Sequence, residues 1–72
     1  MTARHTGTVS YIDAETNFGE ITSPGWQPIG CDLADLRRVG ADAIGAVVDF
    51  EFGAFRSAVS GAINISKPRL EP

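Results

Sequence analysis

The sequence predicts an all-β fold, a small barrel of five short strands. Five segments are rich in β-branched and aromatic residues or alternate apolar with polar residues, and none has the apolar spacing of a long helix. The chain has 72 residues, enough for one core but not for two. A flat sheet of five short strands could not bury its apolar face alone. Curling into a barrel of the OB type solves this and removes exposed edges.

The first two strands are predicted to form a hairpin. Residues 7–12 (GTVSYI) contain the β-branched and aromatic residues that strands favour. Residues 13–17 (DAETN) are typical of a turn, and residues 18–22 (FGEIT) return as the second strand. Gly19, near the start of that strand, indicates strong curling or a close backbone approach.

The middle of the chain is predicted to be a loop, a short strand and a second loop. Residues 23–28 (SPGWQP) contain two prolines and a glycine, which exclude regular structure. Residues 29–33 (IGCDL) alternate apolar with other residues and suit a short third strand. Residues 34–44 are long enough for one helical turn and a loop around Gly40.

The last two strands complete the predicted sheet. Residues 46–52 (AVVDFEF) place Val48, Phe50 and Phe52 on one face. Residues 57–65 (SAVSGAINI) form the fifth strand, and residues 67–72 are expected to be a frayed tail. We therefore predict a single domain over residues 1–72, with its core in about residues 6–65.

Composition and charge limit the classes of function. Hydrophobic residues are 43% and charged residues 21% of the chain, near the globular average. Six Lys and Arg stand against nine Asp and Glu, giving a net charge of −3. Binding a polyanion by charge alone needs a basic cluster, and here the only adjacent basic residues are Arg37 and Arg38. Whole-molecule charge weakly repels nucleic acid.

Several kinds of chemistry are not expected. The single cysteine, Cys31, excludes an internal disulfide and a multi-cysteine metal site, and its apolar neighbours indicate a small buried hydrophobe. Glu20 and Asp32 could be a carboxylate pair, but no His, third carboxylate or nucleophile accompanies them in the pattern. We expect no enzyme, cofactor or metal site. The sequence has no signal peptide pattern and no run of ~20 apolar residues, so we expect a cytoplasmic protein outside the membrane.

The order of these segments resembles that of the bacterial cold-shock proteins. The family's opening GTVKWFN is similar to GTVSYID at residues 7–13, and its first RNA-binding motif, KGFGFIT, to TNFGEIT at residues 16–22. Its second motif, DIFVHISDL, is similar to PIGCDLADL at residues 28–36. The fourth-strand EGQxVxF and the closing AxNV are similar to residues 44–50 and 62–65. The likeness spans roughly residues 6 to 65.

The resemblance implies a five-stranded OB barrel that binds single-stranded RNA or DNA by stacking bases on outward aromatic side chains flanked by lysines. Tyr11 stands at the family's Trp position and Phe18 at the first Phe of the first motif, and both can still stack. The inward positions remain apolar. The positions that depart from the family pattern are Ser10 and Thr16 (lysines), Glu20 and Gly30 (phenylalanines) and Asp32 (histidine).

The departures predict weak binding. Stacking of one base on an aromatic side chain contributes ~1–3 kcal/mol, so losing three aromatic positions removes several kcal/mol of binding free energy. Glu20 and Asp32 add repulsion towards phosphates. We therefore interpret the outer surface as a stacking surface that has lost most of its ligand contacts.

Two functions remain open from the sequence. The first is weak binding of single-stranded RNA or DNA, for which the candidate residues are Tyr11, Phe18, Trp26, Arg37, Arg38 and Arg56. The second is binding of a protein, or self-association, through an apolar patch of Ile12, Phe18, Leu33 and Trp26. Trp26 could equally be a lid over one end of the barrel, Tyr11 and Phe18 could cover an apolar flank, and the arginines could simply be solvated.

Overall fold

The five predicted strands form one antiparallel sheet. The computed structural model describes residues 4–55 and 58–68; Arg56 and the end of the predicted tail lie outside the described residues. The all-β prediction is confirmed, with one short helix between the third and fourth strands. The elements are β1 (His5–Asp13), β2 (Phe18–Thr22), β3 (Ile29–Asp32), α1 (Leu33–Arg38), β4 (Val47–Phe55) and β5 (Ala58–Ser66).

The strand order in the sheet is β3-β2-β1-β4-β5. The central strand β1 pairs with β2 through its second half and with β4 through its first half, and Thr8 belongs to both ladders. The sheet curls until β3 and β5 lie side by side. No strand pairing joins these two within the described residues, so the barrel-like sheet is not closed. OB barrels are partly open in the same sense.

The core lies inside the curl and follows the alternation of the strands. In β4, Val48 and Phe50 are fully buried while Val47 is exposed, as the period of two requires. Cys31 is also fully buried, which confirms that it acts as a small core residue. The buried apolar residues are Val9, Ile21, Ile29, Cys31, Leu33, Leu36, Ala41, Val48, Phe50, Ala62 and Ile65.

A β-bulge interrupts the alternation of β1. The pairing of β1 with β2 shifts register between Val9 and Tyr11. Val9 is buried, Ser10 and Tyr11 are both exposed, and Ile12 packs partly buried against the core. The bulge therefore turns Tyr11 outward, whereas strict alternation from Val9 would turn it inward.

The helix α1 starts where β3 ends because Asp32 caps it. The Oδ1 atom of Asp32 accepts a hydrogen bond of 3.0 Å from the backbone N–H of Ala34. Leu33 and Leu36 then point into the core. The prediction that the third strand includes Leu33 is wrong, since Leu33 is the first residue of α1.

Within the described part of the chain, no helix is both long and apolar enough to cross a membrane.

Candidate ligand-binding surfaces

Two aromatic rings lie side by side on the outer face of the sheet, near the turn between β1 and β2. The ring centroids of Tyr11 and Phe18 are 6.2 Å apart, and the ring planes meet at 61°, an edge-to-face arrangement. Tyr11 is 47% exposed and Phe18 is half-buried. We call these two rings the aromatic pair. The two positions at which the sequence predicts stacking are therefore brought together.

Carboxylates surround the aromatic pair. On β2, Glu20 lies opposite Tyr11, while Phe18 lies opposite Asp13 on one side and Asp32 on the other. The three acids and the two rings thus share adjoining positions of the sheet. A phosphate group brought to this surface meets several negative charges, whereas a cation meets both carboxylates and the faces of aromatic rings.

The carboxylate of Asp32 is held in place by two hydrogen bonds. In addition to capping α1, Oδ1 accepts 2.7 Å from the side-chain amide of Asn17. Asn17 has a positive φ of 56° in the turn after β1, and its carbonyl accepts 3.1 Å from the N–H of Leu33. Asp32 therefore connects the first turn to the start of the helix. The sequence suggests only that it repels ligands; the structure gives it a structural role.

A groove lies at the opposite end of β1, and we call it the Trp26 groove. Its cavity of about 350 Å³ is lined by Trp26, Gln27, Pro28, Ile29 and Phe52. The ring of Trp26, 55% exposed, lies 4.9 Å from that of Phe52 at an angle of 50°. None of the five lining residues carries a formal charge. The groove is apolar, partly aromatic and open to a ligand.

The ring of His5 packs beside two aromatic rings of the Trp26 groove. Its ring centroid is 4.6 Å from that of Phe52 and 6.3 Å from that of Trp26. The sequence assigns nothing specific to His5, because this residue precedes the predicted first strand. Strand β1 in fact begins at His5. Alternation predicts that Phe52 lies at or near the core, and it does pack partly buried against the core.

The aromatic pair and the Trp26 groove are separate. His5, beside Trp26, and Tyr11 are six positions apart on β1, which corresponds to roughly 20 Å at ~3.3 Å per residue. Trp26 therefore lies near the end of β1 opposite to Tyr11. Trp26 packs against one end of the barrel, as the lid interpretation has it, yet more than half of its surface stays exposed.

Hydroxyl side chains occupy the outer face between the two sites. Thr8 lies opposite Thr22 in the β1–β2 ladder, and the hydroxyl of Thr22 donates 2.8 Å to the Oγ of Ser10. All three residues are exposed and uncharged. Ser10, at the family's lysine position, thus offers a polar contact without charge.

The predicted protein-binding patch is not formed. Leu33 is 1% exposed because it turns into the core at the start of α1, and Ile12 packs against the same core. Trp26 lies at the far end of β1, away from Phe18. Burial of Leu33 and separation of Trp26 therefore contradict the proposed patch of Ile12, Phe18, Leu33 and Trp26.

Two of the basic side chains already have acidic partners. Arg38 donates 2.7 Å from Nη1 to Oδ1 of Asp35 one turn earlier in α1. Arg4 binds Glu51 at 3.0 Å and also donates to Ser66 and to the carbonyl of Asn64. Arg37 is exposed in the last turn of α1, and Arg56 lies outside the described residues. Ion pairs with acids thus engage two of the four basic side chains in the described part of the chain, which are Arg4, Arg37, Arg38 and Lys67.

Within residues 4–55 and 58–68 there is no group of three or more His, Cys, Asp or Glu that could hold a metal. Burial, and after it the nearby charges of Asp35, Asp32 and Glu20, together raise the pKa of the Cys31 thiol to about 12. The thiol therefore stays protonated and is a poor nucleophile at neutral pH.

Comparisons with known proteins found no similarity that identifies a family. No protein-family model matches the chain, and neither a curated protein nor a solved structure shows significant similarity to it.

Proposed function

We propose that this protein is a small cold-shock-like module that binds single-stranded RNA or DNA weakly, by stacking more than by charge. The observation that supports it best is the aromatic pair. Tyr11 is 47% exposed on the outer sheet face, with the Phe18 ring against it. Non-enzymatic action and a cytoplasmic location belong to the same proposal.

The expected affinity follows from the few contacts available. Two stacking positions at ~1–3 kcal/mol each contribute ~2–6 kcal/mol, and ~4 kcal/mol corresponds to a dissociation constant near 1 mM. Charge adds little, since the pair is flanked by Asp13, Glu20 and Asp32 and since Arg4 and Arg38 are engaged elsewhere. Each neutralised phosphate of a single strand contributes ~0.7 to the salt slope, so the slope should be shallow.

The test is a titration of labelled oligo-dT and oligo-U at low salt, followed by fluorescence anisotropy. Tyr11→Ala should weaken binding by about 5-fold to 150-fold, the range expected for one stacked base, while Tyr11→Phe should bind nearly as wild type does. The matched control is Ile44→Ala, which removes an exposed apolar side chain (64% exposed) outside the strands. If the wild type does not bind at low salt, or if Tyr11→Ala binds as tightly as Ile44→Ala, the proposal is wrong.

The acidic surroundings of the aromatic pair favour a second candidate, a partner protein that presents a Lys- or Arg-rich segment. A cation over the ring of Tyr11 would gain ~0.5–2 kcal/mol, and Glu20 lies directly opposite on β2. A basic peptide should then bind more weakly as salt increases, and Glu20→Gln should reduce its affinity. Binding of this peptide that is unaffected by both changes would exclude the candidate.

A further inference from the structure

We propose that the Trp26 groove is a second binding site, and that its ligand is one unpaired base of a single-stranded nucleic acid. The inference rests on the proposed function for the class of ligand. It assigns a separate place on the molecule, roughly 20 Å from the aromatic pair along β1. The size, the lining and the charge of the groove support it independently.

The groove fits a flat aromatic ring. Its volume of about 350 Å³ falls at the small end of the ~300–1,000 Å³ typical of ligand pockets. The Trp26 ring is 55% exposed and is held at 4.9 Å against Phe52, so it offers one face for stacking while its position is fixed. Pro28 and Ile29 complete the apolar wall.

One lining residue can hydrogen-bond to the edge of a base. The amide of Gln27 supplies two N–H donors and one carbonyl acceptor. A base carries donors and acceptors on its edge and a stacking face on its plane, so it matches both parts of the groove.

The Trp26 groove and the aromatic pair differ in the charge of their surroundings. Its five lining residues are neutral, whereas Asp13, Glu20 and Asp32 adjoin the aromatic pair. An anionic strand is therefore repelled less at the groove than at the other site. Between the two sites, the exposed hydroxyls of Ser10 and Thr22 can contact sugar and phosphate oxygens.

A single-stranded nucleic acid that reaches both sites must be several nucleotides long. The ~20 Å between them fits within the ~4–16 nucleotides that one OB barrel accommodates. The affinity of an oligomer that occupies both sites should exceed its affinity for either site alone, because the second contact is then intramolecular. We therefore expect affinity to increase with length from a dinucleotide to an oligomer of about ten nucleotides.

The chain supplies a separate reporter for each site. It contains one Trp and one Tyr, and these are Trp26 in the groove and Tyr11 in the aromatic pair. Fluorescence from selectively excited Trp26 reports binding in the groove. Tyr11 fluorescence in a Trp26→Phe variant reports binding at the aromatic pair. Oligo-dT of about ten nucleotides, within the ~4–16 of one OB barrel, should quench both.

Trp26→Ala should lower the affinity for this oligomer by about 5-fold to 150-fold, the range for one stacked base. Trp26→Phe, which keeps a ring, should lose less, and Ile44→Ala should lose nothing. Circular dichroism and thermal unfolding of each variant show whether the fold is retained. If Trp26→Ala does not fold, the comparison of Trp26→Phe with Ile44→Ala decides, and equal affinities there would overturn the inference.

The outcomes distinguish this inference from the proposed function. Quenching of Tyr11 without quenching of Trp26, together with unchanged affinity of Trp26→Ala, overturns the second site and leaves the proposed function standing. Quenching of Trp26 with no effect of Tyr11→Ala supports the groove and refutes the role of the aromatic pair. No response of either ring overturns both. Quenching of Trp26 by a proline-rich peptide but not by oligo-dT also overturns the inference, since the groove then binds a peptide.

Discussion

Replacing Asp32 tests whether this residue supports the fold or merely opposes a ligand. Its Oδ1 atom caps α1 at the N–H of Ala34 and accepts from the amide of Asn17. Asp32→Ala removes both bonds. Asp32→Asn removes the charge but keeps a side-chain oxygen that can accept both hydrogen bonds. Asn is as good an N-cap as Asp.

The expected loss can be worked from these two contacts. An N-cap replaced by Ala costs about 1 kcal/mol, and the second hydrogen bond, which is part-buried, contributes about 1 kcal/mol more. Asp32→Ala should therefore lower the free energy of unfolding by about 2 kcal/mol. A domain of this size has a total of roughly 4–11 kcal/mol, and its Tm should fall by about 8–16 °C.

The assay is urea unfolding followed by circular dichroism, with thermal unfolding as a second measurement. Asp32→Asn should lose less than half of what Asp32→Ala loses, and it should bind oligo-dT at least as tightly as wild type because one carboxylate beside Phe18 is gone. The structural role would be refuted if Asp32→Ala unfolded at the wild-type urea concentration. It would also be refuted if both variants lost the same stability.

Two further predictions concern the interior. A Cβ atom at Gly7 would lie 2.5 Å from Cγ2 of Ile21 and 2.9 Å from the carbonyl oxygen of Thr22. Gly7→Ala should therefore lower the free energy of unfolding, measured in urea, by ~1–3 kcal/mol. The control is Thr8→Ala, since Thr8 is exposed on the other face, and equal stabilities of the two variants would contradict the close approach. The pKa of the Cys31 thiol is raised from 9.0 to about 12, chiefly by burial. This thiol should therefore react with thiol reagents at pH 8 only as fast as the protein opens. As pH rises above 9, the unfolded thiol ionises before the folded one, so stability should fall; Cys31→Ala should lessen this fall, and an identical pH profile in both proteins would refute the burial argument.

The strands could be predicted from the sequence because alternation is a local signal. In β4, the spacing of Val48 and Phe50 predicts the buried face, and both residues are fully buried. Gly19 is predicted to lie at a close approach, and a Cβ there would lie 3.0 Å from Cδ1 of Leu36. These are consequences of the period of two and of the size of a glycine.

The errors arise where distant parts of the chain meet. Leu33 continues the inward alternation of Ile29 and Cys31 and is buried as they are, but it belongs to α1 because Asp32 caps a helix there. The carboxylate of Asp32 is held by Asn17 from the distant first turn. The Trp26 groove combines the loop before β3, the first residue of β3 and the middle of β4, and His5 of β1 packs beside it. His5, Trp26 and Phe52 are therefore neighbours only in the folded barrel. No short segment of sequence contains that information.

Because of its bulge, β1 should tolerate the deletion of one residue. Because Ser10 and Tyr11 both face outward between the inward Val9 and Ile12, deletion of Ser10 should restore a regular pleat with the phenol still outside. Deletion of Asp49 from β4, which has no spare residue between Val48 and Phe50, should instead turn one of these two core residues towards solvent. Among relatives of this chain, length variation at Ser10 should therefore be compatible with the fold, whereas length variation at Asp49 should not.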